Sequence, residues 1–165
     1  MKSNINIGIV GASGLVGRTI LDVLLERQFQ YNFLKLFASS NSAGKVIISK
    51  NQKFLVEGLS EFSFRGLDIV FFAAGGKISK QFVPIAVNSG CIVIDNSSYF
   101  RMNDSVPLVV PEVNPFTLQY HNGIIANPNC STIQLVILLD VLLKLCNISR
   151  IIVSTYQAVG GGGQK

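Results

Sequence analysis

Short apolar runs alternate with helix-patterned segments along the first part of this chain, and this alternation constrains the fold more than any other feature. The apolar runs are nearly continuous, as in strands that are buried on both faces. In chain order the predicted strands and helices are Ile5–Val10, Leu15–Arg27, Phe33–Ala38, Asp68–Ala74, Lys77–Asn88 and Cys91–Asp95. This order predicts an α/β fold: a Rossmann-type, doubly wound, mostly parallel sheet with its ligand crevice at the carboxyl ends of the strands.

Two short strands, Val46–Ile48 and Phe54–Val56, are predicted on either side of a turn at Asn51. Beyond Asp95 the sequence changes to a long polar loop and then to a strongly apolar region. The elements predicted there are Leu108–Val110 as a short strand within the loop, strand Gly123–Ala126, helix Ser131–Cys146 and strand Ile151–Tyr156. The helix is apolar nearly all round and so needs neighbours on most sides. We therefore expect the first helix and strand of an incomplete second α+β domain after the Rossmann-type one.

Composition limits the classes of partner. The net charge is +5, but the basic residues are scattered, which argues against nucleic acid and suits a small anionic ligand. No uncharged apolar run approaches the roughly 18 residues of a membrane span, and the N-terminus is a poor signal peptide, so we expect a cytoplasmic protein without a membrane partner. The three cysteines form no CxxC motif and no Cys/His cluster, which indicates neither a metal site nor a disulfide framework.

The segment GASGLVG lies between the first predicted strand and the first predicted helix. Gly11 permits a tight turn, Gly14 lets the backbone approach a pyrophosphate, and Gly17 allows close packing of helix on strand. The N–H groups at the helix start attract an anion. The spacing is GxxGxxG rather than GxGxxG, so the alternative of a purely structural glycine turn stays open.

No acidic residue follows the second strand, where an acid holds the ribose hydroxyls of NAD. The segment LFASSNSAGK instead offers Ser39, Ser40, Ser42 and Lys45, which can bind a 2′-phosphate and so favour NADP. A polar surface loop is the alternative.

The segment NPNCST places Cys130 at the start of the long apolar helix, with Ser131 and Thr132 as cap-type residues. The partial positive charge of a helix N-terminus favours a thiolate, and its N–H groups stabilise an oxyanion, as a nucleophile that attacks a carbonyl requires. A buried packing role is the alternative for Cys130, and it is what we expect for Cys91 and Cys146. The single histidine, His121, is expected in a solvated loop, which leaves the chain without an obvious general base.

Several segments together resemble bacterial aspartate-semialdehyde dehydrogenases, in their N-terminal part. In order along residues 5–165 they are GASGLVG, FASSNSAGK, DIVFFAAGG, VIDNSSYFRM, VPLVVPEVN, GIIANPNCSTIQ and STYQAV. The pair NPNCST and STYQAV is the most specific of them. The related N-acetylglutamyl-phosphate reductases usually have a cysteine motif closer to NPGCY, which this chain lacks.

The resemblance implies roles for individual residues. Cys130 matches the nucleophile that forms a thioester, and Gln157 matches the residue that orients the substrate. Arg101 matches a phosphate-binding residue, with Asn129 in the same anion pocket; without the resemblance, Arg101 would be taken for a solvated loop charge. The implied nucleotide contacts are Gly11, Ser13, Gly14, Leu15 and Val16 in a first loop, Asn41 and Ser42 in a second, and Gly160 and Gly161 near the nicotinamide.

The resemblance further implies an NADP-dependent enzyme that converts aspartyl phosphate to aspartate semialdehyde, with residues 1–130 binding NADP and residues 131–165 beginning a catalytic and dimerisation domain. Family members form homodimers. They usually have arginine where this chain has Asn41, and SGAGK where it has GGGGQK. Their catalytic histidine and their substrate-carboxylate arginine lie in a later segment. Three interpretations follow: a dehydrogenase completed by a continuation or partner, an inactive truncated remnant, or a nucleotide-sensing module.

Overall fold

A computed structural model describes residues 5–156 as one seven-stranded sheet with α-helices against it and a further helix near the end. The elements are β1 (Asn6–Val10), α1 (Leu15–Glu26), β2 (Phe33–Ala38), β3 (Val46–Ser49), β4 (Gln52–Gly58), β5 (Ile69–Phe72), α2 (Gly76–Asn88), β6 (Ile92–Asp95), β7 (Ile124–Ala126) and α3 (Cys130–Leu143). Short 3₁₀ turns occupy Ser40–Ser42 and Pro115–Tyr120.

The strand order is β3-β4-β2-β1-β5-β6-β7, and every pair is parallel except β3–β4. The chain starts at the centre with β1 and adds β2 beside it. The hairpin of β3 and β4 then completes that side, with β3 at the edge, and the chain crosses to β5 on the other side of β1. This confirms the predicted doubly wound sheet and places its topological switch point between β1 and β5. The antiparallel hairpin turns at Lys50 and Asn51, which both have positive φ angles, 45° and 63°, as a two-residue type I′ turn requires.

The core lies on both faces of the sheet. Ile9 in β1 joins the cluster under α1, around Leu21, whereas Val10 joins the cluster under α2, around Val83. Successive side chains of a strand point to opposite faces, so a strand covered on both sides must be apolar at every position. The near-continuous apolar runs of the sequence have this origin.

The structure differs from the sequence predictions near its end. Residues 151–156 form no strand and are exposed, so the predicted strand Ile151–Tyr156 is wrong. A strand needs a partner, and the described residues offer none there. The predicted strand Leu108–Val110 is reduced to a single bridge between Leu108 and Ala126. Helix α3 ends at Leu143, three residues earlier than predicted, and buries no residue. The division into residues 1–130 and 131–165 stays a prediction.

Candidate functional site

The loop between β1 and α1 lies at the carboxyl edge of the sheet and is tied to its neighbours by its backbone. The N–H groups of Gly11 and Ala12 both donate to the carbonyl oxygen of Phe37, at 2.8 and 3.1 Å. Gly11 has φ +84°, and a Cβ there would lie 2.6 Å from the carbonyl oxygen of Ala73. A Cβ on Gly17 would lie 2.8 Å from the Cα of Ala12. Only glycine fits at these two positions, because one needs a left-handed backbone and both lie against main-chain atoms.

Gly14 differs from the other two glycines of this loop. It is the N-cap residue of α1, with φ −79° and no side-chain cap, and the nearest atom to an added Cβ would be 3.4 Å away. Residues 13–16 are exposed, and Leu15 and Val16 keep 68% and 49% of their surface accessible. The first turn of α1 contains no acidic residue. No side chain therefore caps the start of α1 and no acid of its first turn repels an anion there, as the phosphates of a dinucleotide require.

The loop after β2 lies beside this glycine loop, because β1 and β2 are parallel neighbours with Val10 opposite Phe37. Asn41 is exposed and Ser42 is half-buried within the 3₁₀ turn, whose backbone bonds to the carbonyl oxygen of Ser39. Lys45 is exposed a few residues further on. The structure thus places the two predicted nucleotide loops at adjacent strand ends.

A third strand end completes the crevice, and sequence reasoning assigned it no role. The N–H of Ala73, directly after β5, donates to the carbonyl oxygen of Val10 at 2.8 Å. Gly75, with φ +82°, is the N-cap of α2 and also provides no side-chain cap. Two uncapped helix N-termini therefore flank the switch point between β1 and β5. The signal in the sequence was the AAGG that follows the strand.

Arg101 is held by main-chain carbonyls rather than by an acid. Its Nε donates to the carbonyl oxygen of Asn127 at 2.9 Å, and its Nη2 donates to the carbonyl oxygen of Asn96 at 2.9 Å. The side chain is half-buried. A guanidinium has five N–H donors, so two are used to fix its plane and three remain for an anion. No carboxylate among residues 5–156 forms an ion pair with it.

Cys130 is exposed and is the first residue of α3, one residue earlier than the predicted helix start at Ser131. The helix cap is Asn129, whereas the sequence pointed to Ser131 and Thr132. The Oδ1 of Asn129 accepts from the backbone N–H of Ser131 at 3.0 Å, from its hydroxyl at 2.7 Å and from the thiol of Cys130 at 3.7 Å. An asparagine at this position is a favoured N-cap. The structure gives Asn129 a role in the helix start, and its predicted role in an anion pocket stays a prediction.

The other cysteines occupy contrasting environments. Cys91 is buried, and burial, with a smaller contribution from the charge of Asp68, raises its pKa from 9.0 to about 11. Cys146 is exposed, so the prediction that it packs in the core is wrong. It lies three residues beyond the end of α3, a helix that buries none of its residues, and this accounts for its exposure. His121 accepts a hydrogen bond from the backbone N–H of Gly123 at 2.9 Å, a local turn contact.

A buried carboxylate at the end of β6 also escaped sequence reasoning. Asp95 is fully buried and accepts hydrogen bonds from the hydroxyl of Ser79 at 2.8 Å and from the backbone and hydroxyl of Ser97 at 3.0 and 2.7 Å. The hydroxyl of Ser97 in turn accepts from the backbone N–H of Tyr99 at 3.1 Å. This network joins α2 to the first residues of the loop that carries Arg101.

Three predicted site residues, Gln157, Gly160 and Gly161, lie outside the described residues. Within residues 5–156 no group of three or more His, Cys, Asp or Glu side chains could hold a metal ion. No helix of that range is long and apolar enough to cross a membrane.

Comparisons with known proteins agree with this geometry. Residues 6–121 match the family model described as semialdehyde dehydrogenase, NAD binding domain. The aspartate-semialdehyde dehydrogenase of Bacillus subtilis (strain 168) is 48% identical over 165 residues, which are 100% of this chain and 48% of that protein. The chain thus spans about half the length of the curated relatives it matches.

Two solved structures share the fold. That of aspartate semialdehyde dehydrogenase II from Vibrio cholerae superposes with a TM-score of 0.91 at 45% identity, covering 97% of this chain and 48% of that one. That of aspartate semialdehyde dehydrogenase with NADP from Candida albicans gives a TM-score of 0.73 at 28% identity, covering 85% and 47%. Taken with the glycine loop and its neighbouring strand ends, the family match shows that the chain belongs to the semialdehyde dehydrogenases and carries their NAD-binding domain.

Proposed function

We propose that this chain is the N-terminal, nucleotide-binding part of an aspartate-semialdehyde dehydrogenase. The reaction is the reductive dephosphorylation of L-aspartyl 4-phosphate to L-aspartate 4-semialdehyde, a step in the biosynthesis of lysine, diaminopimelate, threonine and methionine. The observation that carries the proposal is the arrangement at the ends of β6 and β7. There a half-buried arginine with three N–H groups to spare bonds to Asn127, three residues before the exposed Cys130.

The proposed reaction passes through a thioester on Cys130. The thiolate of Cys130 attacks the acyl carbon of aspartyl phosphate, a C–S bond forms, and the C–O bond to phosphate breaks. Arg101 binds the departing phosphate through its remaining N–H groups. The thioester on Cys130 would accept hydride from a nicotinamide cofactor when one is bound at the glycine loop, and its C–S bond would then break to give the aldehyde and the thiolate. Gln157 is proposed to orient the substrate.

The proton acceptor for the reverse direction is expected outside residues 5–156. His121 is the single histidine of the chain, and its Nδ1 is engaged in a local turn. General acid–base help is worth roughly 10²–10⁴-fold, so the 165-residue chain by itself should show no steady-state turnover with aspartate semialdehyde, phosphate and NADP. A homodimer and a cytoplasmic location stay predictions.

We infer NADP as the preferred cofactor. Residues 39–45, which follow β2, contain no acid, and they contain exposed serines and the exposed Lys45 that suit a 2′-phosphate. Asn41, where family members usually have arginine, should reduce the preference. Fluorescence titration should give a lower dissociation constant for NADPH than for NADH. A clear NADH preference would contradict the assignment.

The covalent step can be tested without turnover. Incubation of the chain with an acyl phosphate should add one acyl group to Cys130, as peptide mass mapping would show. The Cys130→Ala variant should gain none there, and Arg101→Ala should acylate more slowly because phosphate leaves without its cation. Acylation at the exposed Cys146 but not at Cys130 would overturn the proposal. It would favour the alternative of a nucleotide-binding module without catalysis.

A further inference from the structure

Asn96 and Asn127 form a closed hydrogen-bonded ring with Arg101 at the ends of β6 and β7. The side-chain amide of Asn127 donates from Nδ2 to Oδ1 of Asn96 at 2.9 Å. The main-chain carbonyls of the same two residues accept from the guanidinium, each at 2.9 Å. The main-chain carbonyls of Asn96 and Asn127 therefore fix the guanidinium of Arg101. The bond between the two side chains in turn fixes these carbonyls relative to each other.

The amide orientations in this ring follow from chemistry alone. The Nδ2 of Asn96 donates to the carbonyl oxygen of Phe72 at 3.1 Å, and a carbonyl can only accept. The Oδ1 of Asn96 must then face Asn127, which has to present its own NH₂. The backbone N–H of Asn96 donates to the same oxygen of Phe72 at 2.9 Å, and that of Asn127 donates to Asp95 at 2.8 Å. The ring is thereby attached to the ends of β5 and β6.

The ring also links Arg101 to the segment that leads to Cys130, although the two residues are far apart in the sequence. Arg101 lies in the loop after β6, and Asn127 lies three residues before Cys130. Pro128, between Asn127 and the helix cap, is buried. Both asparagines are half-buried and are bonded to each other through their side chains. Their loss would therefore change where the guanidinium points without removing its charge.

We propose that the Asn96–Asn127 amide pair is a positioning device that holds Arg101 towards a phosphate group at the start of α3. This inference rests on the proposed function, since it requires Arg101 to bind the phosphate of an acyl phosphate or free phosphate. The pair itself does not touch the substrate. It sets the direction of the three N–H groups that remain on the guanidinium.

The chain contains a matched control for this pair. A second asparagine pair lies at the amino ends of β1 and β2. There Nδ2 of Asn32 donates to Oδ1 of Asn6 at 3.0 Å, and Nδ2 of Asn6 donates to the carbonyl oxygen of Gly66 at 2.7 Å. This second pair has the same amide-to-amide bond and the same bond to a carbonyl, but no arginine. The Asn32→Ala variant removes the same kind of amide-to-amide bond at a more exposed position, with no arginine bonded to the pair.

The test measures the binding of inorganic phosphate by ³¹P NMR and of NADPH by fluorescence on the 165-residue chain. Asn127→Ala should raise the phosphate dissociation constant about tenfold, because a bond to a charged group depends on it, and leave NADPH binding within about twofold. Asn32→Ala should change neither constant. The isosteric Asn127→Asp variant should also weaken phosphate binding, because its carboxylate cannot donate to Asn96 and competes for Arg101.

A double-mutant comparison separates positioning from general destabilisation. In an Arg101→Ala background, Asn127→Ala should add no more than about twofold to the loss of phosphate affinity, because the group it positions is gone. Equal losses in both backgrounds, or unchanged phosphate binding in Asn127→Ala and Asn127→Asp, would overturn this inference. Unchanged phosphate binding in Arg101→Ala alone would instead overturn the proposed function.

Discussion

Helices α1 and α3 both begin directly after a parallel strand, yet they relate to the rest of the molecule in opposite ways. Helix α1 packs Leu21 and Gly17 against the sheet and keeps its polar residues outside. Helix α3 buries none of its residues, and Leu138 and Val141 keep 57% and 52% of their surface exposed. An amphipathic helix needs one neighbour, whereas a helix that is apolar all round needs several. The sheet buries one face of α1, whereas residues 5–156 leave every residue of α3 at least partly exposed.

The largest effect expected from this contrast is on stability. Leu21 is fully buried under α1, so Leu21→Ala should lower the free energy of unfolding by about 2–5 kcal/mol. The same truncation at the exposed Leu138 should cost less than about 1 kcal/mol. Urea denaturation followed by circular dichroism measures both. Equal losses would mean that α3 is packed as firmly as α1.

Thiol labelling should be much slower at Cys91 than at the two exposed cysteines at pH 8, since a pKa near 11 leaves roughly one Cys91 thiol in a thousand as thiolate. Cys130 and Cys146, at the two ends of α3, are exposed, whereas Cys91 lies under α2 with its pKa raised to about 11. Brief alkylation and peptide mass mapping should find Cys91 unlabelled while the other two react. Early labelling of Cys91 would contradict the packing described for the core beneath α2.

The pH dependence of stability should also carry a contribution from Cys91. Its folded pKa lies above its unfolded value of 9.0, so the unfolded state loses the proton first and folding is weakened between about pH 9 and pH 11. At pH 10 this costs about 1.4 kcal/mol relative to pH 7. Cys91→Ala should remove that part of the alkaline fall in melting temperature. A fall of the same steepness in the variant would rule out the contribution.

The smallest effect concerns how the two helices begin. Asn129 caps α3 through its side chain, whereas Gly14 caps α1 with none. Asn129→Ala should cost about 1 kcal/mol of helix stability at the start of α3, and hydrogen exchange of the first-turn amides should quicken. Gly14→Ala removes no side-chain bond and should leave exchange in α1 nearly unchanged. A larger change in α1 than in α3 would reverse the assignment of the caps.

The features that could be predicted from the sequence are those encoded by residues close together in the chain. The sheet, the hairpin at Asn51 and the start of α3 were predictable, because hydrophobic period and turn residues encode them over a few positions. The strand at Ile151–Tyr156 was wrong because an apolar run does not reveal whether a partner strand lies beside it. The resemblance pointed to Asn41 and Ser42, and their loop lies beside the glycine loop because β2 pairs with β1.

The surroundings of Arg101 could not be predicted in the same way. Its partners, Asn96 and Asn127, are 31 residues apart and meet only because β6 and β7 are neighbours. The burial of Asp95 likewise depends on Ser79 from α2. Polar side chains that satisfy one another across elements leave no periodic trace in the sequence. Their types, however, were visible in the segments VIDNSSYFRM and ANPNCST.

The central place of β1 has a consequence for how the chain acquires its shape during synthesis. Among the strands of this sheet, β1 is synthesised first and β2 can join it early, but the other edge of β1 pairs with β5, as Ile7 with Ile69. That edge must wait for about sixty more residues, and such distant pairing slows folding. Until then β1 exposes unpaired N–H and C=O groups along an apolar strand, and such an edge favours aggregation. The cofactor crevice, which needs both edges of β1, therefore cannot form before β5 has joined the sheet.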